Sequence, residues 1–120
     1  MENYRNFTVT DAFGATCRVE FRWQQNAISI RHADAIDVKF HVETGGLEEE
    51  KVISLPHPLL LKLSKANGRV LSDPWVSKLA AAHLASMLKT GEDVEKKLVT
   101  MSYGELENAS SVVDVVPASV

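Results

Sequence analysis

The sequence has one cysteine, Cys17, few aromatic residues and no long apolar run. A single cysteine excludes an internal disulfide bond and a cysteine-rich zinc site, and it favours a reducing compartment, so we expect a cytoplasmic protein. No segment approaches the roughly 20 apolar residues that a membrane-spanning helix needs. Residues 1–6 show no apolar core of a signal peptide. We therefore expect neither secretion nor a membrane partner.

An excess of charge of either sign is also missing. Thirteen Lys and Arg residues stand against sixteen Asp and Glu residues, for a formal net charge of −3. This balance is not typical of a nucleic-acid-binding arm, an acidic tail or a disordered chain. The chain has 120 residues, 45% of them hydrophobic, and no internal repeat or Pro- and Gly-rich linker. Residues 1–120 are therefore expected to form one domain.

The first half of the chain alternates between apolar and polar residues, as strands with one buried face do. Residues 16–23 and 36–43 alternate most clearly, and residues 7–10, 28–31 and 53–55 repeat the pattern over shorter lengths. The two longer segments place eight residues inward, namely Cys17, Val19, Phe21, Trp23, Ile36, Val38, Phe40 and Val42. Turn-like connectors join the segments. We predict an antiparallel β-meander of about five strands over residues 5–55, with Glu48-Glu49-Glu50 in a solvated acidic turn.

Two prolines, Pro56 and Pro58, end the strand pattern because proline lacks the donor that a central strand requires. The Leu-rich segment 58–67 that follows predicts a helix ending at Asn67-Gly68. An Asn-Gly hairpin at the same place is the alternative.

The clearest helix signal covers residues 74–89. Asp73 serves as its cap, Pro74 fits the first turn, and Gly91 follows its end. Ser102 and Glu105 have the spacing of a capping box, which predicts a short helix over about 103–110. Residues 94–101 fit either helix or strand, and the valines at 112–116 fit a final strand or a docked tail.

The order of these elements indicates the fold class. Strands come first and helices later, without strand–helix alternation, which is typical of an α+β domain. We therefore predict a sheet covered by two or three C-terminal helices, at about 58–67, 74–89 and 103–110. A meander curled into a partial barrel is the alternative.

Motifs for catalysis, metals and nucleic acids are missing. The sequence has no nucleophile elbow, P-loop or dinucleotide-binding glycine motif, and Cys17 is predicted to be a small buried hydrophobic residue. His32, His41 and His57 show no metal-ligand spacing, so we expect no metal and no cofactor. A basic strip is predicted on the outer sheet face, but the aromatic residues that would stack on bases have inward parity, so we expect no nucleic-acid partner. This strip would contain Arg18, Arg22, Arg31 and Lys39.

His83 lies in the middle of the apolar stripe of helix 74–89. A buried polar ring needs a partner, because an unpaired one costs about 1–3 kcal/mol. One interpretation is a core histidine bonded to a backbone carbonyl or a strand hydroxyl. The other is an acid/base group or a ligand contact in a pocket between sheet and helix. His83 is thus the one candidate catalytic residue.

Helix 74–89 is apolar over most of its circumference, so it is buried either within the fold or in a subunit interface. Trp75 is expected at the margin of its apolar face, as a packing residue or as an anchor for a partner. Trp75, His83, Leu84 and Leu88 are the candidate ligand or partner contacts. These features predict a non-catalytic binding or protein-interaction module that forms a homodimer. A small enzyme that uses His83 for acid/base chemistry is the alternative.

Overall fold

The computed structural model describes residues 4–27 and 35–113, which form an α+β fold as predicted. Five strands and three helices follow one another as β1 (Asn6–Thr10), β2 (Thr16–Ala27), β3 (Ala35–Thr44), β4 (Leu47–Pro56), α1 (His57–Asn67), α2 (Asp73–Thr90), β5 (Leu98–Thr100) and α3 (Tyr103–Val113).

The five strands form one sheet in the order β1-β2-β3-β4-β5. The first four pair antiparallel, which confirms the meander, whereas β5 pairs parallel to β4. This parallel pair is possible because α1 and α2 supply the long crossover between the two strands. β5 comes from segment 94–101, for which the sequence allowed helix or strand. The predicted strand at 28–31, with Arg31 and His32, and the valines at 115–116 lie outside the described residues.

The turn between β3 and β4 consists of Gly45 and Gly46, whose φ values are +56° and +87°. Two consecutive positive φ angles suit a two-residue hairpin, and glycine adopts them without strain. The predicted acidic turn at Glu48–Glu50 is therefore wrong, because the glycines turn the chain earlier and these carboxylates belong to β4.

A β-bulge changes the register of β2 on β3. Phe21 lies opposite Phe40, but Trp23 lies opposite Lys39. The prediction that Trp23 faces inward is wrong, since one extra residue inverts the alternation beyond it. Trp23 lies instead on the outer face, with the Lys39 Nζ atom 5.6 Å from the centre of its ring.

The same bulge brings Gln24 to the inner face, where its amide contacts the start of α2. The Ser77 hydroxyl donates to Gln24 Oε1, and Gln24 Nε2 donates to Asp73 Oδ1 over 3.1 Å. Asp73 is therefore not the helix cap. Ser72 is, with its Oγ atom accepting from the Trp75 N–H at 3.4 Å, and the helix starts one residue before the predicted position.

Helix α2 packs against β1 to β4 on one side and against α3 on another. Eleven of its residues are buried, namely Trp75, Val76, Ser77, Leu79, Ala80, Ala81, Ala82, Leu84, Ala85, Met87 and Leu88. The chain itself therefore covers most of the apolar circumference of this helix. Among the described helices, none is long and apolar enough to cross a membrane.

Replacement of Trp75 tests this packing. The side chain is only 2% exposed, so Trp75→Ala should lower the free energy of unfolding by about 3–5 kcal/mol through the cavity it leaves. Urea unfolding followed by circular dichroism measures the loss. Trp23→Ala is the matched control, and it should cost much less because Trp23 is only partly buried. Equal losses in the two variants, or wild-type stability of Trp75→Ala, would contradict a packing role.

Candidate functional site

The imidazole of His83 lines a cleft of about 220 Å³ between α2 and α3. The sequence predicted a pocket between the sheet and helix 74–89. In the structure the cleft lies instead between two helices. Glu92, which follows α2, also lines this cleft, as do Glu105 and Asn108 from α3. We call it the His83 cleft.

A capping box holds Glu105 in place at the start of α3. The Ser102 N–H donates to Glu105 Oε1 at 2.9 Å, and the Glu105 N–H donates to Ser102 Oγ at 3.2 Å. The second carboxylate oxygen, Oε2, then lies 3.5 Å from His83 Nε2. The sequence predicted this box as a helix signal, and in the structure it also fixes a neighbour of His83.

His83 Nε2 is buried and has no hydrogen-bond partner within the described part of the chain. Burial lowers the pKa of His83 below its ordinary value of 6.5, while Glu105, Asp93 and Glu92 oppose this shift more weakly. The ring is therefore neutral near pH 7. A neutral imidazole presents either a donor or an acceptor at Nε2, depending on its tautomer.

The other predicted contact residues lie in the core. Trp75 is 2% exposed, Leu84 0% and Leu88 5%. The guanidinium of Arg69 lies 5.8 Å from the centre of the Trp75 ring. Leu88 also lines a second cleft, described next. A partner-contact role for these residues stays a prediction.

The second cleft, of about 190 Å³, lies where the β1–β2 and β3–β4 hairpins turn. Five of the nine residues around it are apolar, namely Ala12, Phe13, Cys17, Leu88 and Val94. Phe13 is 90% exposed, and Leu47, which begins β4 at the same end of the sheet, is 77% exposed. We call this region the hairpin-end cleft. The sequence did carry a signal for it, since Phe13 is a large apolar residue in a turn.

Hydrogen bonds fix the Phe13 turn. Asp11 Oδ1 accepts from the N–H groups of Phe13 and Ala15, both at 2.8 Å, as in an Asx turn. The Ala12 N–H donates to the Leu88 carbonyl at 3.1 Å, which attaches the turn to the end of α2. Phe13 is therefore held outward by an ordered turn.

Sequence reasoning also missed Lys51, whose side chain is only 2% exposed. Its ammonium group donates to the carbonyl of Val94 and, at 2.9 Å, to that of Lys96, and it lies 3.7 Å from a carboxylate oxygen of Glu49. Residues 91–97, which we call the connector, are thereby attached to β4. The sequence did carry a signal for this burial. Lys51 lies two residues before Ile53 in β4, and a strand places two such side chains on the same, inward face.

The pKa of His83 predicts how stability changes with pH. Because the folded pKa is lower than the unfolded one, acidification protonates the unfolded chain first. The contribution of His83 to the free energy of unfolding is therefore complete above pH 6.5, and it is lost as the pH falls below that value. Between about pH 7 and about pH 5, His83→Gln should therefore lose less unfolding free energy than the wild type. NMR titration of the ring should give a midpoint below 6.5, and a midpoint above it would contradict the account.

No three His, Cys, Asp or Glu residues lie together as potential metal ligands in residues 4–27 and 35–113. No protein-family model, curated protein or solved structure matches this chain. Its function therefore has to be inferred from the two clefts and the residues that build them.

Proposed function

We propose that this chain is a non-catalytic interaction module that self-associates through the hairpin-end cleft. The observation that carries the proposal is Phe13, 90% exposed beside a mostly apolar cleft. In this proposal the two protomers of the expected homodimer meet at the hairpin turns of the sheet. They do not meet through α2, because its own chain covers most of the apolar circumference of that helix. A cytoplasmic location, expected from the single cysteine, is part of the same proposal.

The cleft has room for an aromatic ring. An apolar cavity of about 150 Å³ accepts benzene in other proteins, and this one measures about 190 Å³. The ring that projects and the cleft that would receive it are adjacent on one protomer. Two copies related by a two-fold axis would therefore each place Phe13 in the cleft of the other, which is an isologous contact.

The two carboxylates at this cleft are already engaged within the protomer. Asp11 accepts hydrogen bonds from its own turn, and Glu49 lies 3.7 Å from the ammonium of Lys51. Burying a charge is costly mainly when that charge has no partner. Docking of a second apolar surface therefore adds little electrostatic penalty.

The area involved sets the strength of the contact. One aromatic side chain buries about 150–250 Å², which is worth about 4–6 kcal/mol at about 25 cal/mol per Å². Two Phe13 rings contribute about 8–12 kcal/mol, against an association cost of about 4–15 kcal/mol. We therefore expect weak self-association, with Kd in the micromolar to millimolar range.

The proposal predicts that Phe13→Ser weakens self-association at least about tenfold, because it removes the inserted ring. Sedimentation equilibrium from about 10 µM to about 1 mM measures the change. Val70→Ser is the matched control, since Val70 is 82% exposed and lies between α1 and α2. The proposal fails if the wild type keeps the 13.2 kDa mass of one chain at every concentration, or if both variants weaken association equally.

A second function, a small enzyme with His83 as general acid or base, is favoured by one observation. The ring of His83 lines an open cleft and has a carboxylate oxygen 3.5 Å away, and general acid/base catalysis needs a titratable group within reach of a bound molecule. The ring titration described above discriminates between the two functions. A ring that does not titrate between about pH 5 and about pH 9 has no acid/base role.

A further inference from the structure

The first strand of the sheet has an open edge. β1 is the outermost strand and pairs with β2. The Phe21 N–H donates to the Arg5 carbonyl at 2.7 Å, and the Asp11 N–H donates to the Ala15 carbonyl at 2.8 Å. Because hydrogen-bonded pairs alternate along an antiparallel ladder, the odd-numbered residues from Arg5 to Asp11 bond to β2. The backbone N–H and C=O groups of Thr8 therefore point away from the sheet.

This edge lacks the features that usually protect the edge of a sheet. Thr8 and Thr10 are exposed, and their outward backbone groups have no hydrogen-bond partner in residues 4–27 and 35–113. Edge strands are commonly protected by a lysine, a proline or a bulge, and β1 contains none of these. The strand at the opposite edge, β5, has only three residues. β1 therefore offers the longer row of unpaired backbone groups, which an added strand recognises.

Helix α2 runs alongside this edge. The Ser77 hydroxyl donates to a side chain of β2, and the Leu88 carbonyl accepts from the Ala12 N–H just after β1. Lys78 and Lys89 directly follow these two contact residues. Their spacing is three helical turns, so both lie on one side of α2, about 16 Å apart along its axis. An extended strand of five residues has about the same length.

The charges around β1 favour an acidic partner. Neither lysine of this pair has an ion pair within the described part of the chain. The carboxylates on β2, in the β1–β2 turn and at the start of α2 are all engaged by their own chain, namely Glu20 by Arg22, Asp11 by its turn and Asp73 by Gln24. Two ammonium groups without a partner beside a row of backbone donors attract carboxylates.

We infer that the open edge of β1 binds an extended acidic segment of a partner protein, which adds a strand to the sheet. The backbone of the segment exchanges hydrogen bonds with Thr8 and Thr10, and carboxylates on its α2-facing side pair with Lys78 and Lys89. Side chains four residues apart on a strand share a face and are about 13 Å apart, within the reach of both lysines. This edge shares no residue with the lining of the hairpin-end cleft, so the inference goes beyond the proposed function and stands or fails separately from it.

The probe is a seven-residue peptide, capped at both ends, with threonine at the odd positions, glutamate at the second and sixth positions and valine at the fourth. Added to the full chain labelled with ¹⁵N, it should shift the amide resonances of residues 6–10 saturably and slow hydrogen exchange at Thr8 and Thr10. The same peptide with lysine in place of both glutamates is the control. It should bind at least about threefold more weakly at matched ionic strength, because like charges then meet.

Two changes in the chain test the backbone and the charges separately. Thr8→Pro removes the outward N–H but no hydrogen bond to β2, so it should abolish peptide binding while the circular dichroism spectrum stays unchanged. The double variant Lys78→Gln, Lys89→Gln should weaken binding about threefold or more. Lys65→Gln with Lys97→Gln makes the same change in charge at exposed positions on α1 and before β5, and it should bind as the wild type does.

Phe13→Ser should also bind the peptide as the wild type does, which separates this edge from the hairpin-end cleft. The inference is overturned if the acidic peptide gives no saturable shift, if the lysine peptide binds equally well, or if the two double variants weaken binding equally. It is also overturned if folded Thr8→Pro binds the peptide normally but self-associates more weakly than the wild type, because the partner of this edge is then a second copy of the chain.

Discussion

The buried ammonium group of Lys51 is the contact on which both clefts depend. Three oxygens face it, two from carbonyls of the connector and one from Glu49, and they match the three donors of an ammonium group. The connector in turn supplies Gly91 and Val94 to the hairpin-end cleft and Glu92 to the His83 cleft. An uncompensated buried charge would cost several kcal/mol, so Lys51 and the connector hold each other in place.

Much of the fold could be predicted because its signals are local. Alternation identified the strands, and the Ser102–Glu105 capping box identified α3 where it forms. The inward position predicted for Trp23 was wrong because of the β-bulge. A bulge depends on how two strands pair, and the residue pattern of one strand does not show it. Lys51 was missed although its parity points inward, since its acceptors come from a connector far along the chain. Only pairing with β4 identifies β5, a strand of three residues.

The candidate site was predicted in part for the same reason. His83 stood out as a polar residue within an apolar stripe, but the walls of its cleft are set by how α3 crosses α2. Phe13 was visible as an apolar residue in a turn, yet its neighbours Leu88 and Val94 belong to the other half of the chain. The apolar circumference of α2 suggested a subunit interface because a helix considered alone does not show that α3 covers it.

The central claim is that Lys51 holds the connector that walls both clefts. Hydrogen exchange of the backbone amides in Lys51→Met tests it most directly, since methionine keeps the length of the side chain and removes its donors. We predict exchange at least about tenfold faster in residues 92–96, with α1 unchanged, because the connector loses its two hydrogen bonds from Lys51 and opens locally, although the Val52 N–H still donates to the Lys97 carbonyl at 2.8 Å. Lys39→Met is the matched control on the outer face, where Lys39 is 29% exposed and pairs with Glu50. Exchange of the connector at the wild-type rate in folded Lys51→Met would contradict the claim.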